Sequence, residues 1–201
     1  MRPRTHSLPP HTVNRFAIFV AALALCAPPC PSQSPPAGAD DSHGMVMTSA
    51  GLIAVDTPPG WEQTTGPGLA AFMPQNLSTR DPDTLLILTS SPIEAGSAQQ
   101  VLDAFIASDV AAFRHRFPGA VVHPETPIAL PHYSGSAPVY SFQSGDPAHN
   151  PFEQVAYIAD YRRIWLLTLS ARNKPGLEHA LPAFHAVVAS YRGSIQYDNT
   201  K

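Results

Sequence analysis

Beyond Cys30 the chain carries no cysteine, and the two that exist, Cys26 and Cys30, both fall within the first thirty residues. No disulfide can staple the remaining residues and no thiol can serve them as nucleophile or metal ligand, so their stability has to come from a buried core. Charge is sparse as well: charged residues make up 13% of the chain, with 12 cations against 15 acids. A duplex-binding protein needs clustered cations to displace counterions, and here the only adjacent pair is Arg162-Arg163, while Arg114 and Arg116 are separated by His115. Nucleic acid is therefore not an expected partner. No apolar run reaches the about 20 residues that a bilayer-spanning helix requires. The strained GxSxG elbow, the HExxH zinc pair, the glycine-rich phosphate loop and the dinucleotide fingerprint are all missing. No cofactor is expected, and no motif assigns a catalytic residue.

What is present begins with Arg2, Arg4 and Arg15 ahead of the apolar run FAIFVAALALCA, from Phe16 to Ala27. Twelve apolar residues are too few to cross a bilayer, and Pro28, Pro29 and Pro31 stop the helix at once, so residues 1–32 read as a secretory signal peptide. A short membrane anchor is the alternative reading of the same pattern. Small residues suited to cleavage occur at Cys30 with Ser32 and again at Ala37 with Ala39. Leu23-Ala24-Leu25-Cys26 also resembles a bacterial lipobox, although Leu25 stands where Gly, Ala or Ser is usual. Cys26 is then the lipidation candidate, and one acyl chain there would give peripheral membrane association. Losing residues 1–32 removes three cations and no acid, which leaves nine against fifteen and a net charge of about −6. The Pro-, Ser- and Ala-rich composition continues to His43, so residues 33–43 read as a disordered tether that cannot bury enough surface to fold. Residues 44–194 are expected to form one domain, and residues 195–201 a C-terminal tail.

Within that domain, Met45 to Thr48 and Leu52 to Val55 predict a β-hairpin turned at Ser49-Ala50-Gly51. Pro58-Pro59-Gly60 ends its second strand, and Trp61 opens a polar turn. Gly68 to Met73 predicts a short strand closed by Pro74. Thr84 to Thr89, with LLIL at its centre, is apolar without interruption and is expected near the middle of the sheet. Val101, Leu102, Phe105, Ile106, Val110 and Phe113 recur at three and four, with Ser97 and Gln100 as a capping box, and Pro118-Gly119 as the stop. Strands come next around Glu125 to Leu130, Pro138 to Gln143 and Phe152 to Asp160. The last turns through Tyr161-Arg162 into Ile164 to Ala171. Leu177, Leu181, Phe184, Val188 and Tyr191 share one face of a closing helix in which Pro182 marks a kink or the true start. Turns this short forbid parallel crossovers, so the expected fold class is α+β: an antiparallel sheet covered by helices in an α/β/α sandwich.

The opening hairpin followed by Val55-Asp56-Thr57-Pro58-Pro59-Gly60-Trp61, the helix after the early strands, the late hairpin and the closing Val188-Ala189-Ser190-Tyr191-Arg192 together resemble the PsbP-like fold family. The resemblance runs from about Gly44 to Ser194. Its members include an extrinsic photosystem subunit, a Ran-binding import factor and bacterial envelope lipoproteins such as DcrB and LpqN. Membership implies a protein that acts by binding other proteins, with an accessory or assembly role. It supplies no partner-binding residue that matches a position here.

Three groups of side chains merit a chemical reading of their own. His43, Met45 and Met47 alternate, so one imidazole and two thioethers would share a side of an extended segment, which suits a soft cation; a strand start with methionine packing is the plainer account. The histidines His115, His123, His132, His149, His179 and His185 show no spacing that places two nitrogens on one metal. Trp165 lies among apolar neighbours and reads as core, while Trp61 after its rigid turn either closes the sandwich or exposes a binding edge. These readings converge on an exported, non-enzymatic envelope protein that binds another protein. A lipid or small-molecule carrier is the alternative. A hydrolase would need a Ser, a His and an Asp assembled from distant segments, with a serine in hydrogen-bond reach of a histidine.

Overall fold

The computed structural model describes residues 44–48, 51–66, 69–75, 83–93, 96–146 and 151–196. The signal peptide, Cys26 and Cys30, the tether with His43, and His149 lie outside the described residues. Seven antiparallel strands form the main sheet in the order β3-β4-β5-β9-β8-β7-β6: β3 (Trp61–Gly66), β4 (Leu69–Pro74), β5 (Thr84–Pro92), β6 (Val121–Ala129), β7 (Ser136–Gln143), β8 (Phe152–Asp160) and β9 (Arg163–Ala171). Helix α1 (Ala98–Arg116) packs on one face and α2 (Lys174–Ala189) on the other. A second sheet, β1-β2-β10, is built from β1 (Met45–Thr48), β2 (Gly51–Ala54) and β10 (Ser194–Gln196). The architecture is the expected α+β class, an antiparallel sheet between two helices.

Alternation along β8 and β9 creates the two cores, since successive side chains of a strand point to opposite faces. Ala156, Ile158, Trp165, Leu167 and Leu169 face α2 and meet Ala180, Phe184, Val187 and Val188. Val155, Tyr157, Ile164 and Leu166 face α1 and meet Leu102, Ile106 and Phe113. Tyr157 donates a 2.5 Å hydrogen bond to Asp109 and so fastens α1 to the sheet through a polar contact as well. Helix α1 starts where the capping box predicts: the Ser97 side chain accepts from the Gln100 amide, and the Gln100 side chain accepts from the Ser97 amide.

Several boundaries differ from the sequence reading, each for a local reason. β5 lies next to the middle of the sheet, as LLIL leads one to expect; the middle strand itself is β9, whose residues from Ile164 to Ala171 are all buried. Residues after Trp61 form β3, because six consecutive pairs with β4 outweigh their polar composition at a sheet edge. Helix α2 begins at Lys174, where Asn173 caps it by accepting from the Gly176 amide, so Pro182 lies inside the helix and is not its start. Pro182 is exposed, and so is Glu178, the residue whose carbonyl it leaves without an intrahelical donor. The chain past Ser194 is not a tail from the outset, since Ile195 and Gln196 pair with Leu52 and Gly51. Met45 and Met47 do lie on one side of β1, but that side is solvent-exposed; Val46 and Thr48 point inward, so the methionines are not core packing. Among the described residues no helix is long and apolar enough to cross a membrane.

Candidate functional site

The two segments that carry the family resemblance meet in space. Asp56 and Arg192, far apart in sequence, form a bidentate ion pair, and the Asp56 amide donates to the Ser190 hydroxyl at 2.8 Å. Ser190 donates in turn to the Val187 carbonyl at the end of α2. Hydrogen bonding to Asp56 holds the Arg192 guanidinium above its usual pKa. Gly193, at φ 116, lets the chain reverse out of this clasp into β10, a backbone conformation that an L side chain resists.

Tyr191, between those two residues, reaches a second polar centre. Asp160 closes β8 with the parity of Ala156 and Ile158, so its carboxylate points into the α2 side of the sheet, only 8% exposed. Three hydroxyls donate to it: Tyr133 at 2.9 Å from the loop between β6 and β7, Ser194 at 2.5 Å from β10, and Tyr191. Tyr133 and Tyr191 also meet ring edge to face. Burial, together with the bond to Asp160, pushes the Tyr133 phenol up to about 12 and raises that of Tyr191 further. Both phenols therefore stay protonated donors at neutral pH. A carboxylate that accepts from three donors ties together a loop, a strand end and the small sheet.

Between the neighbouring strands β9 and β5, Arg163 donates to the Ser90 hydroxyl at 3.1 Å, and burial lowers its pKa. Its Nε, like Nε1 of Trp165 two positions along, is buried without a hydrogen-bond partner.

The turn between β8 and β9 is the outward side of this end. Tyr161 is 75% exposed at φ 49, the only non-glycine residue with positive φ among the described residues. Its carbonyl accepts from the Ala98 amide at the start of α1, and the Arg162 carbonyl accepts from the Ile93 amide. The turn is thus pinned on both sides while Tyr161 projects outward, and the part-exposed Tyr133 hydrogen-bonds its chain neighbour Asp160. Sequence reasoning passed over Asp160, Tyr133 and Ser194. Strand parity was the available signal for Asp160, because an acid in register with Ile158 and Ala156 must face inward and find donors.

The sequence-expected residues fall elsewhere. Trp61 is half-buried on the edge strand β3 and rests its ring against the α2-side core, closing its rim. Trp165 is fully buried. His115, His123, His132, His179 and His185 are all exposed, and no serine hydrogen-bonds to any of them, so the described residues assemble no Ser-His-Asp arrangement. Among the described residues no group of three or more His, Cys, Asp or Glu could hold a metal ion.

No family model matches the chain, and no curated protein matches it. Among solved structures it is similar to the solution structure of cyanobacterial PsbP (CyanoP) from Synechocystis sp. PCC 6803. The sequence identity is 16% and the TM-score 0.41, over 81% of this chain and 100% of that one.

Proposed function

We propose that the protein is an exported, non-catalytic accessory factor of the cell envelope that binds another protein through the end of the sheet carrying Tyr161, Arg162 and Tyr133. The carrying observation is Tyr161: a large aromatic side chain held outward in a left-handed backbone conformation. That conformation costs an L residue about 1–2 kcal/mol relative to glycine. Turns of this kind favour Gly, Asn or Asp, so a tyrosine there gives up stability for something other than folding. Tyrosine and arginine are also the side chains most enriched at the centres of protein interfaces. Export rests on the arginines and apolar run of residues 2–27, and attachment on Cys26 as a lipidated end. Kinship with envelope lipoproteins such as DcrB and LpqN belongs to the same reading.

The test is site-specific photo-crosslinking in cells, with a photoreactive residue in place of Tyr161 and, as control, in place of the exposed His179 at the far side of α2. One protein of constant identity should be captured at position 161 and not at 179. Tyr161→Gly together with Arg162→Glu should remove native co-purification of that protein. Unchanged co-purification from a folded double variant would sink the reading, and co-purified lipid in its place would favour a carrier.

A further inference from the structure

We propose a membrane-contact surface: the outer face of the small sheet β1-β2-β10 lies against a zwitterionic lipid bilayer. Its strands read MVMT, GLIA and SIQ, without one charged residue. Their inward residues Val46 and Ile53 are core, and Ser194 bonds Asp160. The outward set is Met45 and Met47 on β1, Leu52 and Ala54 on β2, and Ile195 on β10. Register aligns them into one patch: Met45 lies opposite Ala54, and Met47, Leu52 and Ile195 form a row across all three strands. Met47 and Ile195 are 61% and 60% exposed. Exposed edges and faces of small sheets are ordinarily protected by charge, and this one is not.

The chain leading into the patch selects its occupant. Met45 stands one residue past the start of the described structure, and only sixteen residues separate the apolar run ending at Ala27 from Gly44. Even fully extended, such a segment spans roughly 50 Å. A domain held at a membrane through that segment is tethered at this sheet. The inference rests to that extent on the attachment reading, in which Cys26 is kept as the lipidated end and cleavage precedes it, and not on the partner proposed for Tyr161. A single acyl chain or short apolar segment gives marginal attachment, and a second signal is needed to make it stable. A polybasic patch is not available to a chain with nine cations against fifteen acids past residue 32, so the second signal is apolar. Five side chains also fall well short of the about 800 Å² per partner that a stable protein interface buries, which disfavours a second copy as occupant.

The experiment uses the full chain with 13C-methyl methionine, bound to phosphatidylcholine vesicles containing a spin-labelled lipid. Signals are assigned with Met45→Leu and Met47→Leu. The Met45 and Met47 methyls should broaden beyond detection while the methyl of buried Met73 stays sharp. Ile195→Glu, on the same face but outside the core, should restore the Met45 signal without lowering the melting temperature. Three outcomes overturn the proposal: Met45 and Met47 signals as sharp as Met73, broadening that persists in Ile195→Glu, or shifts that follow protein concentration without lipid, which would mean self-association.

Discussion

Arg192 grips Asp56 through both terminal guanidinium nitrogens, at 2.6 and 3.1 Å, across 136 positions of sequence. The pair ties the segment leaving β2 to the segment leaving α2, and it does so beside the hydrogen bond from the Asp56 amide to Ser190. Because Asp56 is about half exposed, the ion pair alone is worth no more than ~1 kcal/mol. Its contribution is local: it holds the small sheet against the end of α2.

Arg192→Ala should therefore barely move the global melting temperature, while amide hydrogen exchange of Ile53 to Val55 accelerates. Ser190→Ala removes a buried hydroxyl that both accepts from Asp56 and donates to Val187, and should destabilise by about 1–3 kcal/mol. If exchange in β2 is unchanged in Arg192→Ala, the small sheet is held by its apolar face alone.

Asp160 predicts a larger effect. Asp160→Ala leaves three hydroxyls without their acceptor in a nearly closed site, so it should cost about 3 kcal/mol or more in chemical denaturation. Tyr191→Phe removes one of the three and should cost less. The two substitutions should be non-additive, with a coupling of about 1 kcal/mol or more, because both remove the same bond. Strict additivity would mean that Tyr191 stabilises by ring packing only.

The same cluster fixes the response to alkali. Burial and the bond to Asp160 raise the Tyr133 phenol from its ordinary 10.0 to about 12, and that of Tyr191 also rises. A group whose protonated form the fold prefers stabilises fully below its unfolded value and loses that contribution as pH rises through the folded one. Stability should therefore be level up to about pH 10 and fall between about 10 and 12. In Tyr133→Phe with Tyr191→Phe the starting stability is lower, but the fall over that interval is shallower. Parallel pH profiles for the two proteins would refute the assignment.

The layered architecture was legible because β8, β9 and α1 state their periods openly: FEQVAYIAD and RIWLLTLSA run apolar on both faces, and Ser97 with Gln100 announces the helix. β3 was not, since its polar WEQTTG is a strand only through pairing with LAAFMP. The three residues of β10 are likewise too short to signal themselves, and they are fixed by β2. The Pro-Gly-Trp and Ser-Tyr-Arg signatures were visible as strings, but strings do not say that Asp56 and Arg192 touch. Tyr161 gave no sequence signal, because its distinguishing property is a backbone angle.

Trp165 carries a buried Nε1 without a partner, inside an otherwise apolar cluster. Trp165→Phe removes that orphaned donor, a gain of about 1–3 kcal/mol, against lost volume worth a similar amount. The net change should lie within about 1.5 kcal/mol, whereas Trp165→Ala should cost about 3–5 kcal/mol. A large loss for the phenylalanine variant would show that the indole nitrogen has a partner in solution, such as a buried water.

Tyr161→Gly separates folding from recognition. The native φ of 49 lies where glycine alone sits without strain, so relief of that strain contributes about 1–2 kcal/mol to the variant. Against it stands the greater chain entropy of glycine in the unfolded state, about 0.4–1 kcal/mol. Little packing is lost, because the ring is three-quarters exposed. The variant should therefore melt at the wild-type temperature or slightly above it, and still fail to retain the protein captured at position 161. A clear drop in melting temperature would place Tyr161 among the residues that hold the hairpin together, and its exposed ring would then need no partner to explain it.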